Sequence, residues 1–186
     1  MKKLLDIIFS ATLIVILLLP MLFIAIMIML SSKGPIIFWS ERVGKNGKLF
    51  NMPKFRSMRL DTPQVATHLM KNPNEFLSPI GRFLRRTSLD ELPQLFSILK
   101  GDMSFVGPRP ALFNQKDLIA LRNKNDLGGI LPGLTGWAQV NGRDELSISE
   151  KVYFELEYKK KKSFWFDLKI LWMTFLQVIN RNGVSH

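Results

Sequence analysis

The chain contains no cysteine, which excludes disulfides and every cysteine-ligated metal site. Histidine is almost as scarce: His68 and His186 are the only two, too few for a histidine-rich metal centre. Any metal must therefore be held by oxygen, which favours Mg²⁺ or Mn²⁺. Acidic residues are also in short supply, 15 against 26 basic ones, for a formal charge of +11. Such a balance suits a polyanionic partner: nucleic acid, an anionic membrane face or a phosphorylated substrate. No recognisable nucleic-acid-binding module is present, which argues against the first. At 186 residues there is room for one domain and at most an appendage.

Charge is absent altogether from Ile7 to Leu30, 24 residues in succession. At about 1.5 Å per residue that is roughly 36 Å of helix, enough to cross a bilayer core. The run is too long for a signal peptide, and no Ala-x-Ala cleavage site follows it. Pro20 falls near its middle, where a proline kinks a helix. Basic residues flank both ends: Lys2 and Lys3 before, then Lys33, Arg42, Lys45 and Lys48 after. Positive charge on both sides favours the cytoplasm for both ends. A single transmembrane anchor and a kinked helix that enters and leaves by one face are the two readings.

The most informative stretch runs from Arg82 to Phe96. Arg82, Arg85 and Arg86 precede two adjacent acids, Asp90 and Glu91; Pro93 and an apolar run follow. Leu92, Leu95, Phe96 and Leu99 recur at helical spacing, predicting a helix with one buried face, Pro93 in its first turn and Gly101 closing it. Ser88-x-x-Glu91 matches a capping box, which would give those two residues a structural role. A cap leaves Asp90 and the arginines unexplained. Carboxylates at a helix start, beside several guanidinium groups, suggest a site for phosphate and a divalent metal.

In chain order, 36–40 reads as a short strand, Lys45-Asn46-Gly47-Lys48 as a hairpin turn and 49–52 as the returning strand. Lys54 to Arg59 alternates basic and apolar residues, like a half-buried strand with a cationic face. Residues 60–79 read as a loop. Pro108 and Pro110 hold Arg109 in a stiff turn, a presentation suited to ligand recognition or simply to a solvent-facing arginine. A helix is expected over 111–125. Four glycines between Gly128 and Gly136 match no phosphate-loop fingerprint. Helices are also expected over 149–158 and, with Ser163 as cap, over 164–179. The lysines 159–162 beside the last, aromatic-rich helix suit either a membrane interface or a core helix after a solvated charge run.

Taken together, Lys54-Phe55-Arg56-Ser57-Met58, Arg85 to Gln94, Gly101 to Pro110, Pro132 to Trp137, Asn141-Gly142-Arg143 and Asp167 to Ile170 resemble the bacterial sugar transferases, in the small form of the monotopic phosphoglycosyl transferases. The resemblance covers nearly the whole chain. It departs at Leu19-Pro20, where the family often has Ser-Pro, at Pro53, where an aromatic residue is common, and at Glu155, where aspartate is usual. The resemblance implies an α+β fold: residues 1–32 form a re-entrant membrane helix on a compact cytoplasmic domain, 33–186, of helices with a small β-hairpin and interfacial helices. It also implies transfer of a sugar phosphate from a UDP-sugar to polyprenol phosphate, releasing UMP, as the first membrane step of glycoconjugate assembly. The enzyme would sit on the cytoplasmic face of the bacterial inner membrane, in contact with its lipids. Asp90 maps onto the nucleophile of a covalent aspartyl-phosphosugar intermediate. Glu91 maps onto metal binding or acceptor activation; Mg²⁺, with Mn²⁺ possible, would bind at Asp90 and Glu91. Arg85, Arg143, Lys54 and Arg56 would contact substrate, and Arg109 its UMP portion. Two other classes fit part of the chain: a non-catalytic basic membrane adaptor, and a UDP-sugar phosphodiesterase that passes the phosphate to water.

Overall fold

The uncharged run folds as one long helix, α1 (Lys2–Ser31), with helical structure continuous through Pro20. The computed structural model describes residues 2–63, 73–142 and 145–180. Arg143, His68 and residues 64–72 of the expected 60–79 loop lie outside them. Among the described residues α1 is the one helix long and apolar enough to cross a membrane. It does not stand apart. Leu13, Ile14 and Leu17 pack against a core of Met52, Leu95, Ile98 and Met103, while Met21, Ile24 and Ile28 join Phe55 and Leu84 in a second. Its other faces carry Val15, Leu19, Leu22 and Phe23 outward; Leu19 is 75% exposed. An apolar surface of this extent needs a lipid or protein cover.

Both ends of α1 are fastened to the rest of the chain. The Lys2 ammonium donates to the Val106 carbonyl, the Tyr158 hydroxyl and Asp167. Beyond the C-terminal end, the Arg56 guanidinium donates to the Ser32 and Lys33 carbonyls and to the Ser32 hydroxyl at 2.8–2.9 Å.

Strand β1 (Ile37–Val43) pairs antiparallel with β2 (Leu49–Phe55), in the register Val43 to Leu49 and Ile37 to Phe55. Asn46 and Gly47 both take positive φ in the turn between them, as the Asn-Gly signal requires. Both strands run three residues beyond their expected ends. The short strand β4 (Ala111–Leu112) adds to the free edge of β1 through Arg42 and Val43. A second sheet joins β3 (Ser104–Val106) in parallel to β5 (Gly133–Thr135), which the sequence pattern did not indicate. Glycine is required where the chain beyond β3 lies against β5: a methyl group on Gly107 would collide with the Leu131 carbonyl, and one on Gly133 with the Gly107 amide.

Four short helices fill the space between: α2 (Gly81–Arg86), α3 (Gln94–Lys100), α4 (Lys116–Lys124) and α5 (Trp137–Val140). Gly101 ends α3 in the left-handed conformation, its amide bonded to the Ile98 carbonyl. The buried face of α3 differs from expectation. Leu95 and Ile98 are inside because α1 and β2 cover that side, whereas Phe96 and Leu99 face outward. The chain closes with α6 (Ile148–Lys161) and α7 (Phe164–Asn180). Ser163 caps α7 through the Phe166 amide, and Ile170 and Thr174 turn inward. Trp165, Trp172 and Phe175 point away from the core, so α7 offers its aromatic face outward. The architecture is the expected α+β arrangement of an apolar N-terminal helix on a compact domain.

Candidate active site

Between α2 and α3 the backbone makes a sharp turn. Ser88 adopts a left-handed conformation (φ 56°), and Leu89–Glu91 follow as a single 3₁₀ turn. That backbone precludes the expected capping box: the Ser88 side chain makes no cap bond, and α3 begins only after Pro93. Among the described residues a complete capping box lies elsewhere, between Ser147 and Glu150 at the start of α6. A left-handed serine is strained by about 1 kcal/mol or more. Its effect is to turn Asp90 inward, 7% exposed, with Glu91 beside it.

Strand β2 supplies the first cation. Lys54 is mostly buried, and its ammonium lies 2.7 Å from Glu91 Oε1. Arg109 approaches the same oxygen at 3.4 Å. Arg85, on α2, donates to the Met58 sulfur at 3.2 Å and lies within electrostatic reach of Asp90. The structure thus gathers Asp90, Glu91, Lys54, Arg85 and Arg109. Arg56 is not brought there, because its donors hold the end of α1.

Arg42 is a member that sequence reasoning missed, having counted it only as a flanking charge. From β1 it donates to the Ser40 hydroxyl at 2.9 Å and the Pro110 carbonyl at 3.1 Å, within the fields of Arg109 and Glu91. Only strand register could have placed it: Arg42 follows Phe38 and Ser40 on one face and pairs with Leu112. Among the described residues, four cations around two acids leave a surplus of two positive charges, which suits an anionic ligand.

Burial dominates the titration of this cluster. It raises the Asp90 carboxyl above its ordinary 3.8; Lys54 opposes that rise, Glu91 adds to it, and Arg85 and Arg109 oppose it in turn. Burial lowers Lys54, against the pull of Glu91 and Asp90. Arg42 is lowered to about 10, first by burial and then by Arg109. Among the described residues Asp90 makes no side-chain hydrogen bond, so its carboxylate is desolvated without being capped by donors from them. In the same segment, the amide nitrogen of Gln94 is buried without a partner among the described residues.

No group of three potential metal-ligating side chains occurs among the described residues, so a protein cage for a metal is not formed by them. The adjacent carboxylates of Asp90 and Glu91 do fit Mg²⁺, which is commonly held by one or two carboxylates together with substrate phosphates and water.

A buried aspartate and its neighbouring glutamate, set among guanidinium and ammonium groups, form a cationic cluster that suits an anionic ligand. The chain belongs to the bacterial sugar transferase family, whose model matches residues 1–181. It is 46% identical over 178 residues to the UDP-glucose:undecaprenyl-phosphate glucose-1-phosphate transferase of Escherichia coli K12, covering 88% of this chain and 37% of that protein. It is 40% identical over 168 residues to the undecaprenyl-phosphate galactose phosphotransferase of Salmonella typhimurium, covering 81% and 34%. The uncharacterized sugar transferase EpsL of Bacillus subtilis is 38% identical over 165 residues, covering 88% of this chain and 80% of its own. The chain therefore spans about a third of the first two proteins' length and most of the third's.

Proposed function

We propose that the chain is a phosphoglycosyl transferase that moves a sugar phosphate from a UDP-sugar to polyprenol phosphate, releasing UMP and forming a polyprenyl-diphosphate sugar. One observation carries this reading: the Asp90 carboxylate is buried, without a hydrogen-bond donor among the described residues, beside Glu91 and among Lys54, Arg85 and Arg109. A carboxylate with few donors on it keeps its nucleophilicity, while the surrounding cations offset its repulsion from a pyrophosphate. The names of the E. coli and Salmonella relatives support a nucleotide-sugar donor and a polyprenol-phosphate acceptor.

In the first step an Asp90 oxygen attacks the β-phosphorus of the UDP-sugar. The bond from that phosphorus to the bridging oxygen breaks, and UMP leaves with the electron pair. In the second, an oxygen of polyprenol phosphate attacks the phosphorus now bonded to Asp90, and the carboxylate is regenerated. Splitting one transfer between anions into two displacements is the gain from covalent catalysis. Lys54 holds Glu91 in place; Arg109 and Arg85 balance charge on the phosphates, with Arg143 assigned there by resemblance alone. Bound at Asp90 and Glu91, Mg²⁺ would neutralise phosphate charge. Glu91 serves as its ligand or activates the acceptor.

The contacts of α1 support one reading of the membrane arrangement. A helix that crossed a bilayer would carry one end away from the catalytic domain, yet Lys2 and Ser32–Lys33 are both bonded to it. With basic residues at both ends, α1 is read as entering and leaving the inner membrane from the cytoplasmic side. The outward aromatic face of α7 would lie in the same lipid surface.

A screen of UDP-sugars for UMP release, with and without polyprenol phosphate, tests the activity. Repeated turnover only with the lipid acceptor is expected. Turnover independent of it would favour a phosphodiesterase, and no UMP from any donor would favour the membrane adaptor.

A further inference from the structure

Pro108 and Pro110 have no backbone N–H, so the turn that carries Arg109 cannot hold itself by donating from those residues. Its carbonyls are held instead, each by a different element. The Pro108 carbonyl accepts from the Gly133 amide of β5 at 2.8 Å, the Arg109 carbonyl from Arg122 Nη2 of α4 at 2.9 Å, and the Pro110 carbonyl from Arg42 Nη1 of β1 at 3.1 Å. Three consecutive acceptors fixed from three directions leave the turn no room to pivot. The Arg109 side chain reaches inward from it and meets Glu91.

The middle tie has a further support. Arg122 is mostly buried, and both oxygens of Glu155 on α6 accept from it, one at 2.8 Å from Nε. Glu155 is 3% exposed, and its carboxylate has no other partner among the described residues. A buried acid leaves an arginine's fork oriented and charge-compensated, so that its remaining donor can serve a backbone carbonyl. We propose that Arg122 and Glu155 are positioning residues for the reaction: they fix the Arg109 turn so that its guanidinium meets the donor's phosphates at the Asp90–Glu91 pair. The proposal rests on the reading that Arg109 holds the nucleotide's phosphate.

The test is a kinetic cycle on the full-length membrane enzyme with a UDP-sugar that it turns over. Arg122→Lys keeps the charge opposite Glu155 but lacks the fork that serves Glu155 and the Arg109 carbonyl together. Its kcat/KM for the UDP-sugar should fall about 10- to 100-fold, the scale expected when a catalytic contact is misplaced by about an ångström. The kcat/KM for polyprenol phosphate, which reports the second displacement, should stay near wild type. In an Arg109→Gln background the same change should have little additional effect, because residues acting through one contact are not additive. Undiminished loss in that background, equal loss for both substrates or wild-type kinetics in Arg122→Lys would each overturn the proposal. Wild-type kinetics in Arg109→Gln alone would instead overturn the role given to Arg109, and the brace with it. Should Arg122→Lys fail to fold, Glu155→Asp carries the same cycle, keeping the charge while drawing it back by one methylene.

Discussion

The Lys54 ammonium bonds Glu91 at 2.7 Å and makes no hydrogen bond to Asp90, although both carboxylates lie within its field. Two neighbouring acids are thereby given different environments. Glu91 is tethered by Lys54 and approached by Arg109; Asp90 feels the same cations only through space. The tethered acid is fixed, whereas the other accepts no hydrogen bond from the described residues, which suits the nucleophile proposed above.

This difference predicts how stability responds to Asp90→Asn. Burial raises the Asp90 pKa, so the ionised form costs folding free energy at neutral pH. The substitution removes that cost, and the variant's Tm at pH 7 should equal or exceed that of the wild type. For a carboxyl with a raised folded pKa the penalty is complete above that pKa and vanishes below the unfolded value. The Tm difference should therefore narrow as pH falls towards 3.8. Thermal unfolding across that range checks it; a clear loss of Tm at pH 7 would contradict the assigned environment.

The second prediction concerns Lys54. Its charge is the largest influence that lowers the Asp90 pKa. Lys54→Met should therefore raise that pKa further, and the acid limb of kcat/KM should move to higher pH, since the nucleophile must be ionised. A pH profile measured against the UDP-sugar shows the shift. An unmoved acid limb in an active variant would dissociate Lys54 from Asp90.

Much of this was legible in the chain. The uncharged run, the Asn-Gly turn, Gly101 and the Ser163 cap act through neighbours a few residues away, and each is found as expected. Ser88 was misread because a capping box and a left-handed turn share the same letters, and only φ distinguishes them. Phe96 and Leu99 have the spacing of a core face, but the side of α3 that is covered was decided by α1, nearly eighty residues earlier. Arg56 stands two residues from Lys54 and shares its alternation. It leaves the site because β2 ends at Phe55 and the chain turns back to the end of α1. Arg42 and Arg122 reach the Arg109 turn through strand register and helix packing, which no local pattern records.

Metal dependence gives a third prediction. With Asp90 and Glu91 as its ligands among the described residues, a bound divalent ion would need substrate phosphate and water to complete its shell. Chelation should abolish UMP release, and Mg²⁺ or Mn²⁺ should restore it. Full turnover after exhaustive chelation would contradict the proposal.

The fourth addresses topology. The chain has no cysteine, so single cysteines at Lys3, in the first turn of α1, and at Lys48, in the β1–β2 turn that follows its other end, report cleanly on the two flanks of the helix. Both should react with an impermeant thiol reagent only from the cytoplasmic side. Reaction of either from the opposite side would establish a full span. Replacing Pro20 by leucine should favour that span, since proline lacks the amide that would bond the Ile16 carbonyl.

The central claim is that Asp90 becomes covalently bonded to the phospho-sugar, and it can be measured without any lipid acceptor. Enzyme mixed with UDP-sugar alone should release a burst of UMP no larger than the enzyme concentration. Intact-mass analysis should show one added phospho-sugar, which peptide mapping assigns to Asp90. Asp90→Asn should lose both burst and adduct, while Glu91→Gln should lose the adduct if Glu91 binds metal and accumulate it if Glu91 activates the acceptor. A folded Asp90→Asn protein that turns over normally, or a wild-type enzyme that releases no UMP until polyprenol phosphate is added, would contradict the account.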